Sequence, residues 1–229
     1  MIRTVIFDID NTLYSFTEAN RFAMDALRSY AEEKFGWTAE RFDRLHKEAR
    51  DEIFARLGYV SGFRARIIRY HNMLEKAHLP LSPHAQAMTE LYWKTLLAHM
   101  QLTDGAADLM AALRTAGFRI GIGTDMTAYM QFVKLERLGL LPYVDFVVTS
   151  EEAGAEKPAQ GLFSLCVSKA GCAPEECLFI GDDLEKDILG SIGAGMQALW
   201  YNPNQESCPQ GIREIASLRD AAGILLAGH

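Results

Sequence analysis

The feature that most constrains the fold is an alternation of short apolar segments and helical segments over the second half of the chain. Apolar segments at residues 118–123, 144–148, 177–180 and 197–201 predict strands. They alternate with predicted helices at residues 106–115, 127–138, 158–170 and 184–192, and a further helix ends the chain. Strands joined by helices in this way form a parallel sheet through right-handed crossovers. An apolar segment at residues 2–7 predicts one more buried strand.

Residues 16–100 have a different sequence pattern, in which apolar side chains recur three or four positions apart. Phe42, Leu45, Ala49, Ile53 and Leu57 form one such stripe, and Phe63, Ile67, Tyr70 and Leu74 form another. We expect about four helices here, inserted as an all-α cap domain. The predicted α/β core is therefore discontinuous, with residues 1–15 and 101–229 forming a Rossmann-like parallel sheet domain.

Three arginines of the insert, Arg64, Arg66 and Arg69, have two interpretations. They could clamp an anion, or they could form the charged outer face of an amphipathic helix. The outer face is the commoner arrangement, and we expect it here.

Composition limits the partners of the chain. A formal charge of -7 disfavours binding to nucleic acid, and the chain has no apolar run near the ~18 residues that a membrane helix needs. An acid already at position 8 argues against a signal peptide. The four cysteines form no C-x-x-C pair, which indicates free thiols. We therefore expect a cytoplasmic protein without a membrane or nucleic-acid partner; its oligomeric state cannot be predicted.

Polar residues follow the predicted strands where ligands gather in open α/β sheets, at the carboxyl ends of the strands. Two carboxylates 4 Å apart repel by roughly 4 kcal/mol at an effective dielectric of 20, so a crowded group needs a cation. Oxygen ligands suit a hard cation, and Mg²⁺ binds carboxylates together with phosphate. The residues expected at this edge are Asp8, Asp10, Thr124, Lys157, Asp182, Asp183 and Asp187.

The spacing of Asp8 and Asp10 predicts a division of labour, because residues two apart in an extended segment face the same side. Asp8 could attack phosphorus as a nucleophile, and Asp10 could act as general acid and then as general base. Thr124 could hydrogen-bond a phosphoryl oxygen, although it could also be a turn residue. Lys157 adds positive charge, and Pro158 is expected in the first turn of the following helix.

These residues resemble the motifs of the haloacid dehalogenase (HAD) superfamily, in the same order and with a gap for a cap after the first motif. The matching segments are Asp8-Ile9-Asp10-Asn11-Thr12, Thr124, Glu156-Lys157-Pro158 and Gly181-Asp182-Asp183 with Asp187.

The resemblance implies a Rossmann-like core, a helical cap, Asp8 as nucleophile and Asp10 as acid/base. It also implies Mg²⁺ held by the Asp8 side chain, the Asp10 backbone carbonyl and Asp182. Asp187 would lie outside the metal ligands and orient Lys157 or a metal-bound water. Asp183 is also expected outside the metal ligands.

Two positions leave alternatives open. Asp125 stands where the family often has Asn, so we expect its backbone N–H rather than its carboxylate to contact phosphate. Asp183 could contribute to the site or could cap the following helix.

The expected activity is Mg²⁺-dependent hydrolysis of a small phosphate monoester through an aspartyl-phosphate intermediate. The first motif and the Trp200-Tyr201-Asn202-Pro203 strand end resemble nucleotidases and sugar-phosphate phosphatases, which suggests a nucleoside monophosphate or a sugar phosphate. A phosphomutase using the same two acids is one alternative. A non-enzymatic switch that is phosphorylated like a response-regulator receiver is another.

Overall fold

The computed structural model describes residues 1–58 and 60–227. The chain divides into two compact units, Met1–Ser15 with Gln101–His229 and Phe16–Met100. We call them the core unit and the helical unit. The core unit is discontinuous, because the helical unit is inserted after its first strand.

Among the described residues of the core unit, six parallel strands form the sheet, in the order β3-β2-β1-β4-β5-β6. The strands are β1 (Thr4–Phe7), β2 (Arg119–Thr124), β3 (Phe146–Thr149), β4 (Cys177–Gly181), β5 (Gln197–Tyr201) and β6 (Glu214–Ile215). Phe7, the last residue of β1, pairs with Ile122 of β2 and Ile180 of β4. The residues that follow these three strands therefore start side by side. The predicted α/β class with a parallel sheet is confirmed.

Four α-helices lie in the part of the helical unit that the structure describes, as the apolar stripes predict: α1 (Phe16–Phe35), α2 (Ala39–Leu57), α3 (Arg66–Lys76) and α4 (His84–Ala98). A 3-10 turn at Ser61–Arg64 precedes α3. The Thr38 side chain caps α2 by accepting from the Arg41 backbone N at 3.3 Å, which satisfies a backbone donor that the first helical turn leaves free. α1 packs on α4 and α2 packs on α3.

Helices α5 to α10 complete the core unit. They are α5 (Ala106–Thr115), α6 (Ala128–Arg137), α7 (Ser150–Ala153), α8 (Gln160–Ala170), α9 (Gly190–Gly193) and α10 (Leu218–Leu226). Helix α8 packs Leu162, Phe163 and Cys166 against Ile6 of β1 and Phe179 of β4. The central strands are buried because helices cover them, which explains their continuous apolar sequence. Among the helices of the described residues, none combines the length and apolar character needed to cross a bilayer.

The structure corrects the interpretation of α3. Ile67, predicted in the apolar stripe, is 46% exposed, whereas Arg66 and Arg69 are only 8% and 6% exposed. The outer face expected for these two arginines is therefore wrong. Positions 66, 69, 70 and 73 also lie on one side of a helix, and this side is the buried one.

Some predicted boundaries are also wrong. Pro158 is not in the first turn of a helix, because α8 begins at Gln160 after Ala159. The segment predicted as one helix over 184–192 is a π-helical turn at Leu184–Leu189 followed by α9. The short elements β6 and α7 were not predicted.

Candidate active site

Asp8 directly follows β1, the strand that lies between β2 and β4 in the sheet. Its backbone N donates to the Ile180 carbonyl oxygen at 2.9 Å, which extends the pairing with β4 by one residue. The side chain is almost fully buried, and Lys157 Nζ lies 2.7 Å from its Oδ1 atom. The central strand thus places a carboxylate in a buried ion pair at the carboxyl edge of the sheet.

Lys157 is the central cation of this edge. Its Nζ also donates to Asp187 Oδ1 at 2.6 Å and to the Gly123 carbonyl oxygen at 3.4 Å. Burial opposes the charged form, but the carboxylates of Asp187 and Asp8 outweigh it and raise the pKa of Lys157 well above its usual value. Lys157 therefore stays protonated at physiological pH and joins the segments after β1, β2 and β4.

The segment after β4 carries three aspartates with different surroundings, Asp182, Asp183 and Asp187. The Asp183 carboxylate accepts from the backbone N atoms of Glu185 at 3.1 Å and Lys186 at 2.9 Å, so it caps the π-helical turn. Asp187 Oδ2 accepts from the Asp183 backbone N at 3.1 Å. Gly181 makes this approach possible, because a Cβ atom there would collide with the Asp187 carboxylate. The turn thus directs Asp187 back to the end of β4 and to Lys157.

The carboxylates of Asp8, Asp182 and Asp187 at this edge resist ionisation. Burial raises the pKa of Asp8, although the Lys157 charge opposes the rise. Burial and the charges of Asp8 and Asp187 raise the pKa of Asp182 to about 8. Burial also raises the pKa of Asp187 to about 6, again opposed by Lys157. One lysine does not balance three carboxylates, and the group needs further positive charge.

The three carboxylates fit a metal ion. One oxygen from each of Asp8, Asp182 and Asp187 lies within 4.8 Å of the others. A set of carboxylate oxygens matches the preference of Mg²⁺. Thr12 Oγ1 donates to Asp182 Oδ1 at 3.3 Å and helps to orient it. The side chains that fit Mg²⁺ thus include Asp187, whose contact with the metal the sequence leaves open. Its carboxylate both lies within this group and pairs with Lys157.

The Asp10 side chain lies in a second ion pair. Its Oδ1 atom accepts from Lys134 Nζ at 2.6 Å and from Tyr14 Oη at 2.5 Å, and its Oδ2 atom lies 3.5 Å from Gln131 Nε2. Burial opposes ionisation of Asp10, but the Lys134 charge and these hydrogen bonds outweigh it and lower its pKa. Asp10 is therefore held as an anion, and its lowered pKa also makes it a weaker base.

Lys134 and Gln131 were not identified from the sequence. Both lie on α6, three positions apart, and both side chains are fully buried. A lysine and a glutamine at this spacing ordinarily belong to a solvated helix face. The available signal was their position on the first helix after the predicted Thr124 motif.

Gln131 connects Asp10 to Thr124. Its Nε2 atom donates to Thr124 Oγ1 at 2.7 Å and to the Asp125 carbonyl oxygen at 2.7 Å. The Asp125 carboxylate accepts from the Lys157 backbone N at 2.9 Å. The extra negative charge at position 125 is thus bound by the lysine loop, and the carboxylate of Asp125 has a role in holding that loop.

The arrangement contains a buried carboxylate beside a fixed cation, a second carboxylate paired with another lysine, and oxygen atoms that fit a hard cation. These groups can perform nucleophilic attack, proton transfer and charge neutralisation at one sheet edge.

Comparison with known proteins agrees with this chemistry. A family model described as haloacid dehalogenase-like hydrolase matches residues 2–195. The chain is 34% identical over 209 residues to ribulose-1,5-bisphosphate 5-phosphatase of Halopiger xanaduensis, which covers 90% of this chain and 87% of the relative. It is 30% identical over 228 residues to the pyrimidine 5'-nucleotidase YjjG of Escherichia coli, which covers 96% of each.

A solved structure is also similar over nearly the full length. The HAD-hydrolase YfnB of Bacillus subtilis, crystallised with magnesium, superimposes with a TM-score of 0.76 at 26% identity. The superposition covers 98% of this chain and 99% of YfnB. The order of the motifs, the parallel sheet with its helical insert and these similarities agree, and the chain belongs to the haloacid dehalogenase-like hydrolase family.

Proposed function

We propose that the chain is a Mg²⁺-dependent phosphatase that hydrolyses a small phosphate monoester through a covalent phosphoryl group on Asp8. The observation that carries the proposal is the position of Asp8, buried at the end of the central strand with Lys157 Nζ 2.7 Å from one of its oxygens. A carboxylate held in this way can attack phosphorus with its other oxygen.

Asp8 must be ionised to act as a nucleophile, and burial works against this. The positive charge of Lys157 lowers the cost of ionisation, and it also attracts the phosphate group. When bound by Asp8, Asp182 and Asp187, Mg²⁺ would offset the repulsion between the Asp8 anion and the phosphate dianion. The Asp10 backbone carbonyl is proposed as a further ligand.

Thr124 is proposed as a phosphate-binding group. Its hydroxyl is buried and receives a hydrogen bond from Gln131 at 2.7 Å, which leaves the hydroxyl proton to be donated. This proton now points to the Asp125 carbonyl oxygen at 3.3 Å, a long distance that a phosphoryl oxygen could improve on. The Asp125 backbone N–H is the other proposed donor.

Asp10 is proposed to move the protons. It would protonate the leaving alkoxide in the first step, and it would take a proton from the attacking water in the second. Its lowered pKa keeps it ionised, which is the form that the second role requires. Arrival of a phosphate dianion would raise the pKa of Asp10 and favour the first role.

For the substrate we propose a sugar phosphate or a nucleoside monophosphate, since the two relatives named above act on ribulose-1,5-bisphosphate and on pyrimidine nucleotides. Membership of a hydrolase family argues against a receiver-like switch. A cytoplasmic location remains a prediction.

The test measures release of inorganic phosphate from p-nitrophenyl phosphate and from a panel of sugar phosphates and nucleotides, with and without Mg²⁺. We expect continuous Mg²⁺-dependent turnover by the wild type, and a fall of about 10⁴-fold or more for Asp8→Asn. Asp108→Asn, on the surface of α5, is the matched control and should retain activity.

Circular dichroism of Asp8→Asn should show an intact fold. Substantial turnover by this variant would exclude covalent catalysis at Asp8. Isomerised sugar phosphate in place of inorganic phosphate would identify a phosphomutase, and one stoichiometric burst without turnover would identify a switch.

A further inference from the structure

Gln131, on the helix that follows β2, is a neutral polar side chain with no exposed surface. Glutamine is mostly exposed in folded proteins, and a buried amide needs hydrogen bonds for both its nitrogen and its oxygen. In Gln131 the two ends of the amide differ, since the nitrogen has good partners and the oxygen has none. This asymmetry indicates what the side chain is placed to do.

The nitrogen of the amide faces three oxygen atoms of the core unit. Nε2 lies 2.7 Å from Thr124 Oγ1, 2.7 Å from the Asp125 carbonyl oxygen and 3.5 Å from Asp10 Oδ2. A carbonyl oxygen and an ionised carboxylate only accept hydrogen bonds, so the amide must present its NH₂ group to them. The two closer oxygens take the two protons of this group. Thr124 Oγ1 is therefore an acceptor in its contact with Gln131.

The oxygen of the amide is a cost to the fold. Gln131 Oε1 is buried and has no hydrogen-bond partner among the described residues. A buried acceptor without a donor destabilises the folded state, and an apolar side chain of similar length would avoid this cost. Stability alone therefore does not explain a glutamine at this position, whereas a polar residue that serves a binding site does.

The Thr124 hydroxyl is affected most directly by the amide. It has one proton, which points to the Asp125 carbonyl oxygen at 3.3 Å, longer than the roughly 2.5–3.0 Å of a good hydroxyl hydrogen bond. That carbonyl already accepts from Gln131 at the shorter distance of 2.7 Å. Gln131 thus engages both the hydroxyl oxygen and the acceptor that competes for the hydroxyl proton. The proton is left available for another acceptor.

The backbone after Thr124 is also held by Gln131. Met126 has a φ of 103°, which is uncommon and unfavourable for a residue with a side chain. The peptide group that joins Asp125 to Met126 is bound at both ends, its carbonyl oxygen by Gln131 and its N–H by Ser150 Oγ at 2.8 Å. Strained backbone persists where its surroundings fix it from several sides. Gln131 is one of the two side chains that do so here.

We propose that Gln131 is a positioning residue for phosphate binding, which directs the Thr124 hydroxyl proton toward the phosphoryl group. It does so by donating from one amide group to the Thr124 oxygen and to the Asp125 carbonyl oxygen. The inference rests on the proposed function, because it takes Thr124 as a group that binds phosphate. A donor that is already oriented binds an anion more strongly than a hydroxyl that must first turn away from another acceptor.

The first test is a double-mutant cycle of Gln131→Met and Thr124→Val, with kcat/KM for p-nitrophenyl phosphate measured on the full chain with Mg²⁺. Methionine has nearly the length of glutamine but no donor. We expect Gln131→Met to lower kcat/KM by about 10-fold, and Thr124→Val to lower it further. In the Thr124→Val background, Gln131→Met should change kcat/KM by no more than about twofold, because the hydroxyl that it orients is gone.

Glu136→Gln, on the exposed side of the same helix, is the matched control and should keep the wild-type kcat/KM. A merely structural role of Gln131 would lower activity by the same factor with and without the Thr124 hydroxyl. Equal losses in the two backgrounds, or wild-type kcat/KM in Gln131→Met, would overturn the inference.

A second test needs no turnover. Binding of inorganic phosphate in the presence of Mg²⁺ is measured by isothermal titration calorimetry for the same proteins. Gln131→Met should weaken phosphate binding by about 5- to 10-fold in the wild-type background and by no more than about twofold in Thr124→Val. Its Tm without phosphate should stay close to that of the wild type, since the unpaired Oε1 atom is removed together with the donor.

The inference and the proposed function fail separately. If the wild type turns over no phosphate ester, the proposed function is wrong, and phosphate binding still decides whether Gln131 acts through Thr124. If Gln131→Met does not fold, Gln131→Glu replaces it, because glutamate keeps the shape but accepts the Thr124 proton. Its loss of phosphate affinity should then be smaller in Thr124→Val, and an equal loss in both backgrounds would reject the role of Gln131.

Discussion

The core unit and the helical unit each bury a cluster of charged side chains, but they balance the charges differently. In the core unit, Lys157 pairs with Asp8 and Asp187, and Lys134 pairs with Asp10. In the helical unit, Arg66 and Arg69 have neutral partners only, within the described residues. The core unit thus has an excess of negative charge, and the helical unit has an excess of positive charge.

The two clusters differ in what offsets their buried charge. An unbalanced buried charge weakens a fold unless a ligand of opposite sign binds, and binding then stabilises the folded state. Three carboxylates around one lysine suit a divalent cation, whereas no carboxylate among the described residues offsets the charge of the two arginines. Lys134 and Asp10 form the exception, since this pair is balanced within the core unit, and its role is to hold a reacting group in position.

Among the changes that test this comparison of the two units, the largest effect is expected where the balanced pair of the core unit is broken. Lys134→Met should lower kcat about 10- to 100-fold, because Asp10 loses both its ion pair and its position. The lost charge also raises the pKa of Asp10. Since Asp10 must be ionised to accept a proton from water, the acid limb of the kcat profile should move to higher pH. Steady-state kinetics with p-nitrophenyl phosphate across pH measures both changes.

Lys94→Met on the exposed face of α4 is the control and should leave kcat and the profile unchanged. Lys134→Arg keeps the charge and should recover part of the rate. An unmoved pH profile in a folded Lys134→Met protein would show that Lys134 does not act through Asp10.

A smaller effect is expected when one negative charge is removed from the carboxylate cluster of the core unit. The pKa of Asp182 is raised to about 8, so in the folded metal-free protein this side chain keeps its proton up to about that pH. In the unfolded chain it loses the proton at a much lower pH, near its ordinary pKa of 3.8. Its contribution to the free energy of unfolding therefore decreases as pH rises from about 4 to about 8. Asp182→Asn should stabilise the metal-free protein near neutral pH by about 1–3 kcal/mol.

Urea unfolding with a chelator and with Mg²⁺ tests this. Mg²⁺ should stabilise the wild type more than Asp182→Asn, and Asp108→Asn should respond like the wild type. If Asp182→Asn is less stable than the wild type without metal, the carboxylate cluster is not under repulsion.

The sequence predicts the fold of the core unit well because two independent patterns agree. Apolar segments alternate with helices, and acids follow the apolar segments at the edge where parallel strands end. Asp8 and Asp182 could be predicted in this way before any coordinates, since each follows the end of a strand. Lys157 lies in a later loop and was predicted from its place before Pro158 in the motif.

The same reasoning fails for side chains on helices. Lys134, Gln131, Arg66 and Arg69 are polar residues that become buried only because of tertiary packing. Amphipathic patterning assigns polar residues to the solvent side, so it misplaces polar residues that tertiary packing buries. On α3, apolar residues and arginines both recur three or four positions apart. The structure buries the two arginines and exposes Ile67.

The smallest expected effect concerns His46, which lies against Arg69 in the helical unit. Burial and the charges of Arg69, Arg66, Arg50 and Arg28 lower its pKa from 6.5 to about 3. The unfolded chain binds a proton at His46 below pH 6.5, and the folded chain does not. This part of the stability is therefore complete above pH 6.5 and is lost as pH falls toward about 3.

Over the first pH unit below 6.5, the wild type should lose about 1 kcal/mol more of its free energy of unfolding than His46→Gln does. Urea unfolding in saturating Mg²⁺ measures the difference without interference from the core carboxylates. His78→Asn, at an exposed position with a φ of 54° that Asn tolerates, should keep the wild-type dependence. Equal slopes in the wild type and His46→Gln would mean that the positive excess of the helical unit is already compensated within the chain.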